Sequence, residues 1–178
     1  MSPERMRRDH ATRPTALEGE TDVFRRLVAA LEKADIGFVH THHQPVFTST
    51  DAASARGTSL HSGAKALILK GGEDFRMAVM PADMSLDSNA FRKLLGSKRL
   101  RFATKEEVYA LTSLMPGSIP PFGSLFGLET LCDVHLGEND RINFNAGSHT
   151  ESLQMTYEAY LSFESPRIAQ FAKAGGPG

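Results

Sequence analysis

The chain has 178 residues, enough for one domain that buries about 70% of the surface its unfolded form exposes. A share of 40% hydrophobic and 23% charged residues is an ordinary globular balance, which excludes fibrous, collagen-like and wholly disordered chains. Twenty Lys and Arg stand against 21 Asp and Glu, a net charge of −1, which argues against a nucleic-acid coat held by bulk positive charge but permits a local basic patch.

Residues 1–19 carry Pro3, Pro14 and Gly19 with no hydrophobic period, and are expected as a flexible arm. From Thr21 the apolar positions Val23, Phe24, Leu27, Val28 and Leu31 recur at three- and four-residue spacing, which predicts an amphipathic helix ending before Gly37. An extended segment begins at Phe38–His40, and Ser49-Thr50-Asp51 is expected to cap a short helix through Arg56. The runs Ala64–Leu69 and Phe75–Met80, split by Gly71-Gly72, read as a hairpin. A helix is expected over Leu86–Leu95, stopped by Gly96. Thr104 and Glu107 form a capping box for another, which runs to about Leu111. The segment Met115–Gly123 holds three prolines and two glycines, so it is irregular. Strands follow at Glu129–Val134, Arg141–Asn145 and Ser152–Met155, then a helix after Thr156. Helices and strands intersperse without strict alternation, which predicts an α+β fold with a mixed sheet. The domain is expected over 20–165, with 166–178 as a loose C-terminal tail.

One cysteine, Cys132, permits no intramolecular disulfide, and its place between Leu131 and Asp133 suits a small buried hydrophobe. No apolar run reaches 18 residues, so no membrane span is expected. The N-terminus lacks the apolar stretch of a secretory signal, and its acidic residues count against a transit peptide. Cytoplasm is the expected compartment.

His40 and His42 share a strand face, and with His43, His61, His135 or His149 they have the chemistry to ligate zinc. No CxxC or HExxH pattern accompanies them, so a hydrogen-bonded histidine cluster is the expectation and no metal or cofactor is assigned. No Gly-x-Ser-x-Gly elbow or phosphate loop occurs. Lys65 interrupts an apolar strand and shares a face with Leu67 and Leu69; it is either a snorkelling surface lysine or a cation at a pocket mouth. The loop Gly117–Gly123 is either a rigid turn or a preorganised rim offering backbone N–H groups. Asn145-Ala146-Gly147-Ser148-His149-Thr150 is a polar turn between two strands. Arg92, Lys93, Lys98, Arg99 and Arg101 form the densest basic cluster, either a solvated face or a phosphate contact.

In this order, Lys65 in its strand, Gly-x-x-x-Pro at Gly117–Pro121 and Ala-Gly-Ser-His at 146–149 resemble the YbaK-like aminoacyl-tRNA deacylases. That family includes the editing insertion domain of bacterial prolyl-tRNA synthetase and its free-standing relatives. Matches also occur at His43–Thr48, Met80–Asp83 and Lys98–Ala103, so the resemblance covers about 36–162. It implies a barrel-like, mostly antiparallel sheet with flanking helices. It also implies hydrolysis, in trans, of the ester of a mischarged tRNA, with Lys65 catalytic. Gly117, Ser118, Ile119, Pro120 and Pro121 would hold the terminal adenosine and ester, and Gly147, Ser148 and His149 would shape the amino-acid pocket. The turn at 146–149 and the lead-in Arg56–His61 tilt the expectation to serine, threonine or alanine over cysteine. The implied partners are the 3′ acceptor end of mischarged tRNA and an aminoacyl-tRNA synthetase. A non-catalytic tRNA- or synthetase-binding module of the same fold is the alternative.

Overall fold

In the computed structural model, which describes residues 16–175, hydrophobic period decides what packs where. Helix α1, Ala16–Lys33, buries Val23, Leu27 and Leu31, one stripe at four-residue spacing. The stripe joins Ile142, Phe144, Leu153 and Met155 of strands β7 (Arg141–Asn145) and β8 (Glu151–Thr156) in the main core. With β1 (Val39–His42) these strands form an antiparallel sheet in the order β1-β8-β7.

The hairpin of β2 (Ala64–Gly71) and β3 (Asp74–Pro81) is the centre of a second, five-stranded sheet. Beside it lie β5 (Leu100–Phe102), β6 (Glu129–Asp133) and β9 (Arg167–Ala169), in the order β5-β2-β3-β6-β9. The β3–β6 and β6–β9 pairs are parallel, so the sheet is mixed. Strand alternation separates two cores cleanly. Ile68, Met77, Val79 and Cys132 face the main core, whereas Leu69, Ala78, Met80 and Leu131 pack with Phe91 and Phe171 on the other side.

The remaining helices are α2 (Ser49–Arg56), α3 (Ser88–Leu95), α4 (Lys105–Thr112) and α5 (Tyr157–Glu164). The Thr104–Glu107 capping box forms as expected. The N-cap of α2 is Thr48 rather than Ser49, its hydroxyl accepting from the Asp51 N–H. The α+β class holds, but the barrel-like expectation does not extend to closure. Described strands form three sheets, and an isolated parallel bridge between Gly63 and Asn143 links the larger two. No helix among the described residues is long and apolar enough to cross a membrane.

Both chain ends depart from expectation. Residues 1–15, with Arg5, Arg7 and Arg8, lie outside the described residues, but 16–19 already belong to α1. Leu17 is 78% exposed, but Gly19 is buried against Ser113, where a Cβ would stand 2.1 Å from the Ser113 carbonyl oxygen, so close approach of a glycine anchors this first turn. The segment expected as a loose tail from 166 onward instead holds β9 and β10 (Ala172–Ala174), the latter paired with β4 (Met84–Leu86). Its anchor is the buried Phe171, whose ring meets Phe91 edge-on at 5.0 Å.

Candidate active site

Strand β5 pairs with β2 only at Leu69–Gly71, so the 64–67 edge of β2 is left to wall a cavity. The cavity measures about 170 Å³, and β2, α2, the loop at 117–119 and β7 line it. Lys65, Gly117 and Ile119 are all in the wall, as are Arg56, Asn143 and Asn145. No aspartate or glutamate lines it among the described residues.

Lys65 is half-buried, and its Nζ donates to the Met84 carbonyl oxygen. That bond uses one of an ammonium's three donors. Burial lowers the Lys65 pKa below the ordinary lysine value, and the negative charge of Asp83 opposes the shift without cancelling it. The amine is therefore a partly desolvated cation at a cavity wall, not a lysine snorkelling into bulk water.

The proline loop is fixed from below. Phe122 is fully buried, with Phe144, Tyr160 and Phe163 edge-on to it at 5.2, 5.4 and 5.6 Å. The Tyr160 hydroxyl donates to the Pro121 carbonyl at 2.8 Å, and the Gly123 N–H to Thr130 Oγ1 at 2.9 Å. Gly117 has φ +95, a conformation that favours glycine. Within the loop the Ser118 N–H turns back to Met115 O, and Pro120 and Pro121 carry no N–H. The N–H groups of Gly117 and Ile119, the two loop residues in the cavity wall, have no hydrogen-bond partner among the described residues. Ser118, Pro120 and Pro121 support the rim without lining the cavity. Tyr160→Phe should cost about 1–2 kcal/mol in urea unfolding, because it strands the buried Pro121 carbonyl without changing side-chain volume.

The turn at 146–149 reaches the loop through two contacts. Asn145 Nδ2 donates to the Gly117 carbonyl at 2.6 Å. A Cβ on Gly117 would stand 3.6 Å from His149 Nε2, so the imidazole lies directly beside that glycine. His149 Nδ1 pairs with Glu20 at 2.8 Å, and its ring packs on Phe47 at 4.9 Å between centroids. Phe47 is 73% exposed at the cavity wall. Gly147 and Ser148 are buried behind the turn and do not line this cavity. Gly147 has φ +80, and a Cβ there would strike Val23 Cγ1 of α1 at 2.7 Å, so it serves helix packing.

Three other groups complete the account. Arg92, Lys93, Lys98, Arg99 and Arg101 are not brought to the cavity. Arg101 pairs with Lys70, five residues along β2 from Lys65, about 16 Å at strand rise. Its guanidinium holds Glu107 through two 2.7 Å contacts, and the Glu107 pKa falls to about 2. His40 and His42 both meet Glu151 on β8, a hydrogen-bonded cluster away from the cavity. Burial pushes the Cys132 thiol up to about 12, which suits an inert core residue.

Arg56 and Asn145 also line the cavity, although the sequence placed them only inside longer motifs, with no site role of their own. Burial alone pushes the Arg56 guanidinium down to about 10. Its position just before Gly57 looks like an ordinary basic residue at a helix C-terminus, and Asn145 looks like a turn residue.

The family model of the aminoacyl-tRNA editing domain matches residues 43–163. A multifunctional Ser/Thr-tRNA deacylase, ProXp-y, from Escherichia coli strain K12 is 32% identical over 83% of this chain and 92% of its own length. A proline–tRNA ligase from Trichlorobacter lovleyi is 28% identical over 63% of this chain, which matches only 21% of that enzyme. A crystal structure described provisionally as a trans-editing enzyme for prolyl-tRNA synthetase superimposes with a TM-score of 0.74. The likeness covers 85% of this chain and 97% of that one at 25% identity.

Proposed function

The chain belongs to the aminoacyl-tRNA editing domain family, and on that footing we propose that it hydrolyses the ester of mischarged tRNA in trans. The observation that carries this reading is the meeting of a desolvated lysine with two unpartnered backbone N–H groups around one small cavity. Such a set stabilises an oxyanion without a metal or a nucleophilic triad.

In the reaction, water adds its oxygen to the ester carbonyl carbon, and negative charge moves to the carbonyl oxygen. Lys65 and the N–H groups of Gly117 and Ile119 meet that charge as it forms. The tetrahedral intermediate collapses by breaking the bond to the ribose oxygen. The proton given up by water passes to that leaving oxygen, so the products are the free amino acid and the tRNA hydroxyl. An aminoacyl ester is activated by its own α-amino group, so fixing the water and the oxyanion is the main task left to the protein.

The expected substrates carry serine, threonine or alanine at the 3′ acceptor end, and a cavity of about 170 Å³ has room for such a side chain together with the ester. His149, stacked on Phe47 and tethered to Glu20, bounds the rim beside Gly117. A second pocket of this kind supplies discrimination that a synthetase's first site lacks for small side chains. The ligase match extends the partner reading to an aminoacyl-tRNA synthetase. The test is loss of ester from a panel of mischarged tRNAs incubated with the full chain. Turnover of the small-residue esters supports the reading, and no turnover of any member overturns it.

The basic cluster enters as a contact to tRNA backbone phosphate, remote from the ester. Its affinity term should be non-selective and should fall with salt. Replacing Lys98 and Arg99 together with alanine should reduce the slope of log affinity against log salt by about 2. An unchanged slope in filter binding would assign these residues to a solvated face.

A further inference from the structure

Two polar atoms at the cavity take no part in the hydrolysis described above. Arg56 Nε is buried and has no hydrogen-bond partner among the described residues. Its Nη1 reaches Ser152 Oγ only at 3.5 Å, the outer limit of a hydrogen bond. Asn145 Oδ1 is likewise buried and unpartnered. The orientation of that amide is fixed chemically. Only its nitrogen can donate to the Gly117 carbonyl at 2.6 Å, so the oxygen must face the other way.

The two orphan groups belong to residues that border the same side chain, Ser152. Asn145 and Ser152 are direct partners across β7 and β8, so their side chains stand on one face, about 5 Å apart at Cβ. The Arg56 guanidinium reaches that same Ser152, and Arg56 and Asn145 both line the cavity. A buried donor and a buried acceptor thus belong to residues of one cavity wall, on either side of a Ser152 hydroxyl that already meets His43 Nε2 at 2.7 Å, and each is unfavourable while unpaired. A hydroxyl satisfies both at once, accepting from the Arg56 N–H and donating its own hydrogen to Asn145 Oδ1. A methyl group satisfies neither, and a thiol does both weakly. A carboxylate would meet Arg56 but repel Asn145 Oδ1, and an ammonium would do the reverse.

We infer that Arg56 and Asn145 form the side-chain subsite and read the β-hydroxyl of a seryl or threonyl ester. The inference rests on the deacylase reading and goes beyond it by separating hydroxyl-bearing substrates from alanine. These are specificity-determining residues, because a site built to bond a hydroxyl discriminates against the analogue that lacks one.

The test compares kcat/KM for seryl- and alanyl-tRNA in the wild-type chain, Arg56→Met and Asn145→Ala. The wild type should favour seryl by at least about tenfold, and either variant should bring that ratio close to one. Asn145→Ala also releases Gly117, which slows both esters together, so the ratio separates recognition from loop positioning. A second readout needs no turnover: calorimetric binding of the non-hydrolysable seryl and alanyl amides of 3′-aminoadenosine. The wild type should prefer the seryl amide by about tenfold, and both variants should lose the preference. Equal rates on the two esters with equal binding of the two amides would overturn the subsite while leaving hydrolysis standing. A ratio unchanged in both variants would overturn it as well. Selective amide binding lost in the variants, with no ester hydrolysed, would keep the subsite and overturn the deacylase reading.

Discussion

Lys65→Ala is expected to lower kcat for ester hydrolysis by about 10²–10³-fold while changing KM far less, because the ammonium acts on charge that exists only in the transition state. Its environment supports the large figure. The amine is half-buried and no acid among the described residues lines the cavity wall, so the charge of Asp83, which reaches Lys65 from outside that wall, offsets its field only in part. The Met84 carbonyl accepts from Nζ and so fixes the end of a flexible side chain before substrate arrives. The pH dependence carries a sign that a mere packing role would not produce. Burial lowers the Lys65 pKa, so the protonated form is lost at a lower pH than it would be for an exposed lysine. The enzymatic rate, after subtraction of spontaneous ester hydrolysis, should therefore decline in alkali earlier than an exposed lysine would allow. A Lys65→Ala chain with wild-type kcat in single-turnover assays would remove the ammonium from the chemistry.

The parts of this molecule that were legible in the sequence are those with a repeated local signal. The α1 stripe, the β2–β3 hairpin and the Thr104–Glu107 box each state their geometry within a few residues. Lys65 was visible as a charge breaking an apolar strand, but its strand face alone left two readings open. What decides between them is long-range: the loop at 117–119 and β7 close over the unpaired edge of β2. Arg56 and Asn145 were not legible for the same reason. Each has an ordinary local explanation, and only the pairing of Asn145 with Ser152 brings them together. The strands β4, β5, β9 and β10 have three residues each, too short for alternation to register. The expected loose C-terminus failed on this point for 167–174, since nothing in that stretch advertises the partner that holds Phe171 and Ala172.

That partner is Asp133, and Asp133→Ala is expected to cost about 3–5 kcal/mol of unfolding free energy. The carboxylate is fully buried at the end of β6. Its Oδ2 accepts the N–H groups of Phe171 and Ala172, both at 2.7 Å. Its Oδ1 accepts the His135 N–H at 3.0 Å and faces the His135 ring nitrogen at 2.6 Å. Alanine would leave the Phe171 and Ala172 donors buried without a partner, at about 1–3 kcal/mol each. It would also release the segment that carries Phe171 into the second core and β10 onto β4. Asparagine is no rescue, because its amide nitrogen would point a donor at a donor. Burial by itself would push the Asp133 pKa up, but the backbone donors of Phe171, His135 and Ala172 outweigh it and hold the carboxyl below its ordinary value. The stabilisation is therefore complete above the unfolded value of about 3.9 and is lost as pH falls through the depressed folded value. Urea midpoints for the wild type should drop across that acid window, whereas Asp133→Ala, already destabilised at pH 7, should lack this component of the slope. A variant with the wild-type midpoint at neutral pH would mean that the C-terminal strands are held by Phe171 packing alone.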